Sequence, residues 1–413
     1  QATAPKAYYA RTGSDPTHVS LLDPFPFGST LALAFPDDPI YIEITDGPAP
    51  VDPATVQLRV NGQTMAPTVN KTGSRTAVNL PPPSGIWNSG DNEVELQFGG
   101  TTHSWTLPIM NYVTLEECLR TAVGTGTTPG MRWTTHQWDQ TGTRANTIAA
   151  AEAQLANELN SADLTQAPGG VFDVDYVNFE QDFLPDGLIS DTQPAPRNAP
   201  ELGIPGIPGL GTVGDPLNNI VGEATAFIEF PQAGLYYMGV NRDDGFLLTV
   251  ASSEGGRDLV TGPNIQEVGR YDGGGGIDDN NVQSFMAINV PQPGVWPFRL
   301  LWFEGSGGAS VEWYQTDKRN VLGLVNDPFI TTTLRAFRSR SAQPAATNAP
   351  ACSATGAAPS LVLTRTATGI SLEFEGTLQQ ADTITGTFTD VTATSPFPVN
   401  TSQAGMKFYR ARR

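Results

Sequence analysis

The stretch from Leu235 to Thr316 decides the fold of this chain. It begins LYYMGVNRDDGFLLTV (235–250), continues through a glycine-rich loop, RYDGGGGIDDNN (270–281), and ends PGVWPFRLLWFEGSGGASVEWYQT (293–316). Apolar runs of strand length alternate with clusters of turn residues, which is the pattern of an antiparallel β-domain. The sequence therefore predicts a mainly β, multi-domain chain of β-sandwiches with one short helical connector.

The composition argues against two classes of function. The net charge of −19 over 413 residues gives no general basic field that would attract nucleic acid. The longest apolar runs fall far short of the ~20 residues that a membrane-spanning helix needs. An acidic, oxygen-rich surface instead favours cations, Ca2+ in particular. We therefore expect no nucleic acid partner and no membrane span.

Several features predict a secreted, extracellular or cell-surface protein. The chain starts at Gln1, as mature secreted proteins often do after removal of a signal peptide. Lysine is rare, whereas Thr, Asn, Gly and Ser are abundant. Cys118 and Cys352 form a candidate disulfide in an oxidising compartment. The alternative is a buried free thiol at Cys118, on the apolar face of a predicted helix.

Composition and turn signals divide the chain into six predicted segments. They are an extended N-terminal arm at 1–30, an immunoglobulin-like β-sandwich at 31–113, a helical connector at 114–169, a central β-sandwich at 170–320 with a long Pro/Gly loop at 183–220, a linker at 321–358 and a small C-terminal β-sandwich at 359–413. The arm either adds a strand to a neighbouring molecule or is a strand of its own first module. The long loop is either a functional excursion or an arm that docks on a partner.

The connector is predicted to contain two helices. The first begins at a capping box from Thr114 to Glu117. The second lies in RANTIAAAEAQLANELN (144–160), where apolar residues recur in helical register: Ile148, Ala151, Leu155 and Leu159.

The segments AGLYYMGVNRDDGFLLTV and PGVWPFRLLWFEGSGGASVEWY resemble the protective-antigen-type β-sandwich. That family is named after the anthrax toxin component and is shared with yeast flocculins and adhesins. The resemblance covers roughly residues 225–316. Residues 31–113 resemble, in architecture, the immunoglobulin-like modules of large secreted bacterial proteins. The last segment is similar to a small β-sandwich that ends many such proteins.

The family resemblance implies a binding site. In its lectin members two adjacent aspartates, often joined by a cis peptide, hold a Ca2+ that grips sugar hydroxyls. Asp243 and Asp244 match those positions, and the loop that follows Glu304 matches the family's second calcium loop, although it lacks the usual Asn. The resemblance thus implies a calcium site of Asp243, Asp244 and Glu304, and a carbohydrate site of Asp243, Asp244 and Trp302. The residues alone leave a metal-free Asp-Asp-Gly hairpin turn open as the alternative.

No motif of an enzyme is visible. The three histidines lie in different segments, and neither H-E-x-x-H nor G-x-S-x-G occurs, so we expect a non-enzymatic protein without catalytic residues. The first hypothesis is a self-assembling subunit of an extracellular filament, sheath or surface layer, with copies of itself as partners. It rests on the arm, the long loop and a basic tail with eight basic and four acidic residues in 335–413. The alternative is a calcium-dependent adhesin or lectin whose partners are glycans.

Overall fold

In the computed structural model of this protein, the described residues form three β-sandwiches. Structure is described for residues 16–24, 34–82, 87–138, 144–156, 170–181, 187–207, 218–251, 265–277, 284–318, 320–341, 361–366, 369–374, 377–381, 389–399 and 407–412. The prediction of a mainly β chain of sandwiches is confirmed. Within these ranges, no helix is both long and apolar enough to span a bilayer.

The first sandwich pairs two four-stranded sheets. Its strands are β1 (His18–Asp23), β2 (Ile40–Thr45), β3 (Gln57–Val60), β4 (Gln63–Met65), β5 (Thr68–Thr72), β6 (Arg75–Leu80), β7 (Gly90–Phe98) and β8 (Thr101–Ile109), with a 3₁₀ turn at Pro53–Thr55. The sheet orders are β1-β2-β6-β5 and β4-β3-β7-β8. In β2, Ile40, Ile42 and Ile44 are buried and alternate with partly exposed residues. This is the period-two pattern of a strand with one covered face.

Part of the predicted N-terminal arm belongs to this first sandwich. Strand β1 pairs antiparallel with β2 of the same chain, with His18 opposite Thr45. The prediction of a free arm is therefore wrong for β1, and the other interpretation, a strand of the first module, describes it correctly. Of the rest of the arm, Pro16, Thr17 and Pro24 are described, and residues 1–15 and 25–30 lie outside the described residues.

The central sandwich contains the stretch that decides the fold. Its elements are β9 (Tyr112–Thr114), β10 (Gly126–Pro129), β11 (Met131–Gln137), α1 (Ile148–Leu155), β12 (Val171–Val174), β13 (Asn178–Glu180), β14 (Leu202–Gly203), β15 (Ile220–Phe230), β16 (Gly234–Asp243), β17 (Gly245–Ala251), β18 (Ile265–Tyr271), β19 (Phe285–Val290), β20 (Gly294–Glu304), β21 (Ser310–Thr316), β22 (Val321–Leu324) and β23 (Arg335–Arg340). One sheet runs β10-β23-β15-β20-β17-β18, with β11 joining β15 to β12. The other runs β14-β13-β21-β16-β19-β9, with β22 beside β21.

Strand β20 is buried along its whole length because both of its faces are covered. Trp296 and Trp302 point into the core between the two sheets. Leu301 and Phe303 point to the other face, where they pack against α1. This explains why GVWPFRLLWFE (294–304) is an almost unbroken apolar run rather than an alternating one.

An ion-pair cluster fastens α1 to the sheet. Arg299 of β20 is fully buried and forms ion pairs with Glu223 of β15 and Glu152 of α1; its Nη1 lies 2.7 Å from Glu152 Oε1. The helix begins at the N-cap residue Thr147, whose side chain accepts a hydrogen bond from the Ala150 amide at 3.2 Å. α1 is thereby held at both its start and its middle.

The predicted helical connector is only partly helical. The helical register of Ile148 and Ala151 is confirmed, and both are buried in α1, while Leu159 lies outside the described residues. The predicted first helix is wrong: Glu117–Leu119 is a single 3₁₀ turn, because β9 pairs with β19 directly before it. Residues 126–137 form β10 and β11 of the central sandwich. Sheet pairing outweighs the local capping signal here.

Only one of the two cysteines of the predicted disulfide, Cys118, lies among the described residues. Cys118 is disulfide-bonded, so the alternative of a free thiol is wrong. Cys352 lies outside the described residues, and its pairing with Cys118 stays a prediction.

The start of the predicted linker at 321–358 also belongs to the central sandwich. Strands β22 and β23 pair with β21 and β15, and Leu324 and Ala336 are fully buried. The linker prediction is therefore wrong for residues 321–341. The Ala/Pro-rich stretch 342–360 lies outside the described residues.

The long Pro/Gly loop packs on its own sandwich where it is described, at 187–207. Glu312 of β21 accepts hydrogen bonds from the backbone amides of Leu188 at 3.1 Å and Ile189 at 2.8 Å. β14, inside the loop, pairs with β13. These residues are therefore not an arm that docks on a partner.

The C-terminal sandwich consists of two three-stranded sheets among the residues described there. The strands are β24 (Leu361–Thr366), β25 (Gly369–Phe374), β26 (Thr377–Ala381), β27 (Thr389–Asp390), β28 (Phe397–Val399) and β29 (Phe408–Arg412). The sheet orders are β24-β25-β28 and β27-β26-β29. The boundaries proposed for the six segments otherwise stay predictions.

Replacing Arg299 with Met should lower the free energy of unfolding of the central sandwich by about 3–5 kcal/mol, because two carboxylates lose their buried counter-ion. Arg270→Met is the matched control: Arg270 pairs with Glu267 and Asp272 at the surface, where an ion pair contributes at most about 1 kcal/mol. Urea unfolding followed by tryptophan fluorescence measures both variants. Equal losses would contradict the assignment of Arg299 as the anchor of α1.

Candidate functional site

Two loops cross between the sheets of the central sandwich at the same end. Asp244 links β16 of one sheet to β17 of the other, and Gly305–Ala309 link β20 to β21 in the reverse sense. The strand register opposes Asp243 to Ser310 and Gly245 to Phe303. Because this strand pairing fixes the positions of the two connecting loops, the Asp243–Asp244 pair lies next to Glu304.

The connection at Asp243–Asp244 is not a hairpin turn, which was the alternative that the sequence analysis could not exclude. β16 pairs with β19 and β21, whereas β17 pairs with β18 and β20, so the two strands belong to different sheets. The Asp243–Asp244 peptide bond is cis, as the family resemblance predicts. The pair therefore lies at the end of the sandwich where the chain passes from one sheet to the other.

Asp243, Asp244 and Glu304 form a carboxylate cluster. One oxygen from each residue lies within 4.8 Å of the others. Glu304 is 0% exposed and Asp244 is 7% exposed, while Asp243 is partly exposed. Because Ca2+ holds its oxygen ligands at 2.3–2.6 Å, two ligand oxygens on opposite sides of the ion lie about 5 Å apart. The spacing of the cluster fits a single ion of this size.

Asp244 is the best-held member of the cluster. Its Oδ1 accepts a hydrogen bond from the Gly275 amide at 2.9 Å, and its Oδ2 accepts bonds from the Gly305 amide at 2.9 Å and from Asn146 Nδ2 at 2.5 Å. Its own amide donates to the Phe303 carbonyl oxygen at 3.0 Å. These donors fix the orientation of the carboxylate without neutralising its charge.

Glu304 is buried without any such donors. No N–H or hydroxyl donor among the described residues reaches either of its carboxylate oxygens, and Asp243 and Asp244 can hydrogen-bond to Glu304 only when one of the carboxyls carries a proton. The nearby Arg144 guanidinium donates from Nη2 to the backbone carbonyl oxygen of Glu304 at 2.7 Å, rather than to the carboxylate. A buried carboxylate with unsatisfied oxygens costs several kcal/mol, so this group needs a proton or a cation.

The electrostatics of the cluster agree with that need. Burial, followed by the charge of Asp244, raises the pKa of Asp243 to about 7. Burial and the charges of Asp244 and Asp243 raise the pKa of Glu304 far above its ordinary range. Protons hold the cluster together when no other positive charge is present, and a divalent cation would displace them.

Close backbone approach at two glycines shapes the site. A Cβ on Gly308 would lie 2.9 Å from Asp243 Oδ2, and a Cβ on Gly305 would lie 3.0 Å from the Asn146 side-chain amide. The intervening Ser306 and Gly307 are exposed. The glycine-rich loop EGSGG (304–308) thus passes close to the carboxylates on one side and is open to solvent on the other.

Trp302 does not face the site in the predicted way. Its side chain is 0% exposed and packs in the core, with its ring centroid 6.3 Å from that of Trp133. Its Nε1 donates a hydrogen bond to the Asp243 carbonyl oxygen at 2.9 Å. The prediction that Trp302 contacts sugar is therefore wrong, because alternation along β20 turns its ring inward. Trp302 positions the Asp243 backbone.

Two residues at the site were missed by the sequence reasoning. Arg144 and Asn146 precede α1 and lie about a hundred residues before Asp244 in the chain. They reach the cluster because α1 packs on β17, which begins there, and on β20, which ends there. No local motif marks them, since their role depends on a contact distant in sequence.

No protein-family model matches this sequence, and no curated protein matches it. Among solved structures, it is similar to the A domain of epithelial adhesin 9 from Candida glabrata in complex with Galb1-3GlcNAc, with a TM-score of 0.35 and 11% identity over 56% of this chain and 99% of that chain. It is also similar to the PA14 sugar-binding domain from RTX adhesin, with a TM-score of 0.27 and 13% identity over 48% of this chain and 95% of that chain. TM-scores of this size do not establish a shared fold, so function is assigned from the geometry of the site.

In the presence of chelator, this protein should lose stability as the pH rises from about 5 to 8. The folded state keeps protons on Asp243 and Glu304 at pH values where the unfolded chain has already released them, so rising pH favours unfolding. Glu304→Gln should make this dependence shallower and raise the stability at pH ~8 by roughly 1–2 kcal/mol, because the neutral Gln amide, unlike Glu304, does not have to take up a proton when the chain folds. Calorimetry at both pH values measures the change.

The control for this experiment is Glu267→Gln, which neutralises a surface carboxylate of β18. It should unfold with the same pH dependence as the unmodified protein. If Glu304→Gln and Glu267→Gln have the same pH profile, the buried cluster does not hold the protons assigned to it.

Proposed function

We propose that this protein is a calcium-dependent, carbohydrate-binding adhesin of the cell surface, and that Asp243, Asp244 and Glu304 hold the ion. One observation carries the proposal. Glu304 is fully buried beside two further carboxylates, and no N–H or hydroxyl donor among the described residues reaches its carboxylate oxygens. This cluster lies at the end of the central sandwich where the chain crosses from one sheet to the other.

The choice of calcium follows from the ligand atoms. The three side chains offer only oxygen, which hard cations prefer and which does not favour zinc or copper. Mg2+ demands near-ideal octahedral geometry at 2.0–2.1 Å, whereas Ca2+ accepts irregular sites with six to eight oxygens. The cluster oxygens lie within 4.8 Å of one another, a spacing that Ca2+ bridges at its ligand distances without requiring octahedral geometry.

The sugar is proposed from the coordination that the protein leaves free. Three carboxylates do not provide all six to eight oxygens that Ca2+ takes. Asp243 is partly exposed and Ser306–Gly308 are exposed, so the remaining positions face solvent. Neighbouring sugar hydroxyls are hard oxygens that fit such positions, as the resemblance to the lectins implies. Because Trp302 is buried, recognition would rest on hydroxyl coordination rather than on stacking against that ring.

The filament hypothesis has weaker support. Among the described residues, β1 of the predicted arm pairs within its own chain, and residues 187–207 of the long loop pack on their own sandwich. Two of the three features on which that hypothesis rested are thereby explained without a partner molecule, as far as their residues are described. Self-assembly stays a prediction from the charge of the tail.

Calcium should stabilise this protein by about 2.7 kcal/mol when its concentration is a hundred times the dissociation constant, and Asp244→Asn should abolish that gain. Glycan-array binding by the unmodified protein should require calcium and disappear in chelator and in Asp244→Asn. The Asn side chain keeps the shape of Asp244 but removes the charge. Differential scanning fluorimetry and the array measure the two effects.

Glu267→Gln is the matched control and should keep both the calcium shift and glycan binding, because Glu267 is an exposed carboxylate outside the cluster. The absence of a thermal shift at millimolar calcium would overturn the ion site. A calcium shift without any glycan binding would overturn the lectin proposal and leave a purely structural ion.

A further inference from the structure

Asn146 reaches the carboxylate cluster from outside the stretch that resembles the lectins. Its Nδ2 donates a hydrogen bond to Asp244 Oδ2 at 2.5 Å, across 98 positions of sequence. Its Oδ1 is buried and has no hydrogen-bond partner among the described residues. A side-chain amide offers both donors and an acceptor. Here only the donor side is used, and leaving a buried acceptor unsatisfied costs free energy.

Resting on the calcium site proposed above, we propose that Asn146 is a fourth side-chain ligand of the ion. When the ion is bound, the amide turns about its Cβ–Cγ bond so that Oδ1 replaces Nδ2 on the side facing Asp244. Amide oxygens of Asn are common Ca2+ ligands. The residue supplies from a different segment the amide that the loop Glu304–Gly308 lacks.

The packing around Asn146 leaves room for the side-chain amide to rotate in place about its Cβ–Cγ bond. The amide lies between two glycines: a Cβ on Gly305 would be 3.0 Å from its Cγ, and a Cβ on Gly274 would be 3.4 Å from its Nδ2. Exchanging the oxygen and nitrogen of an amide hardly changes its shape. Without an ion, the lone pairs of Asn146 Oδ1 and Asp244 Oδ2 would repel each other if the two oxygens faced each other. The Asn146 N–H therefore points towards Asp244 instead. When both oxygens bind the same ion, which lies to one side of the pair, two oxygens about 3 Å apart are ordinary neighbours in a Ca2+ shell.

The backbone that carries Asn146 is held in place for this role. The Ile148 amide donates to Asp272 Oδ1 at 2.7 Å. Asp272 begins the loop whose Gly275 amide bonds Asp244 Oδ1. The start of α1, the glycine-rich loop and the aspartate pair are therefore linked through consecutive hydrogen bonds. The binding site then includes the connector as well as the central strands.

The test uses the full chain, with calcium titrated by calorimetry and terbium as a luminescent substitute. Trp302, whose Nε1 lies 2.9 Å from the Asp243 carbonyl oxygen, is placed to sensitise terbium. Luminescence lifetimes in H2O and D2O count the water molecules on the ion.

Asn146→Ala should weaken calcium binding about tenfold and admit about one additional water molecule. Asn146→Asp should bind calcium at least as tightly as the unmodified protein, because a carboxylate oxygen takes the same position.

The control is Asn218→Ala, which removes a side chain that accepts a hydrogen bond from the Gly307 amide at 3.3 Å, and it should leave affinity and water count unchanged. If Asn146→Asp binds as weakly as Asn146→Ala and the water count is unchanged in both, Asn146 is only a donor to Asp244 and the proposal is overturned. If calcium binds, Asp244→Asn abolishes binding and Asn146→Ala has no effect, Asn146 alone is wrongly assigned. If the unmodified protein binds no calcium, the ion site itself fails.

Discussion

Mutual repulsion among the carboxylates of Asp243, Asp244 and Glu304 is the constraint that governs the candidate site of this protein. Strand register forces the three carboxylates together at the end of the central sandwich. Glu304 is buried there without a hydrogen-bond donor among the described residues, so the site must hold extra positive charge, as protons or as a cation. An arrangement that lowers stability is typical of a binding site rather than of a structural turn.

Contacts in the surrounding sandwich stabilise the strands that hold the three carboxylates together. β20 is covered on both faces, and Arg299 joins it to α1 through buried ion pairs. Trp302 fixes the Asp243 carbonyl, and backbone amides of Gly275 and Gly305 fix the Asp244 carboxylate. These ion pairs and hydrogen bonds oppose separation of the carboxylates, so binding of an ion can relieve their repulsion.

The sequence was most informative where a pattern is local. Apolar runs of strand length between turn clusters in residues 235–316 predicted strands, and the Asp243–Asp244 pair indicated the candidate site through a resemblance. It was least informative where tertiary contacts decide. The capping box at Thr114 did not produce a helix, because β9 pairs with β19 there. The inward orientation of Trp302 and the approach of Asn146 depend on which strands the chain packs together, and no spacing within the sequence reveals that.

The most direct test is a crystal structure grown with calcium, with anomalous scattering used to locate the ion. We expect one anomalous peak between Asp243, Asp244 and Glu304, at about 2.3–2.6 Å from oxygens of all three side chains. A structure grown at millimolar calcium that shows no peak there, with Glu304 instead paired to the Arg144 guanidinium, would contradict this expectation. In that case Arg144 would supply the positive charge and the cluster would be a structural feature of the fold.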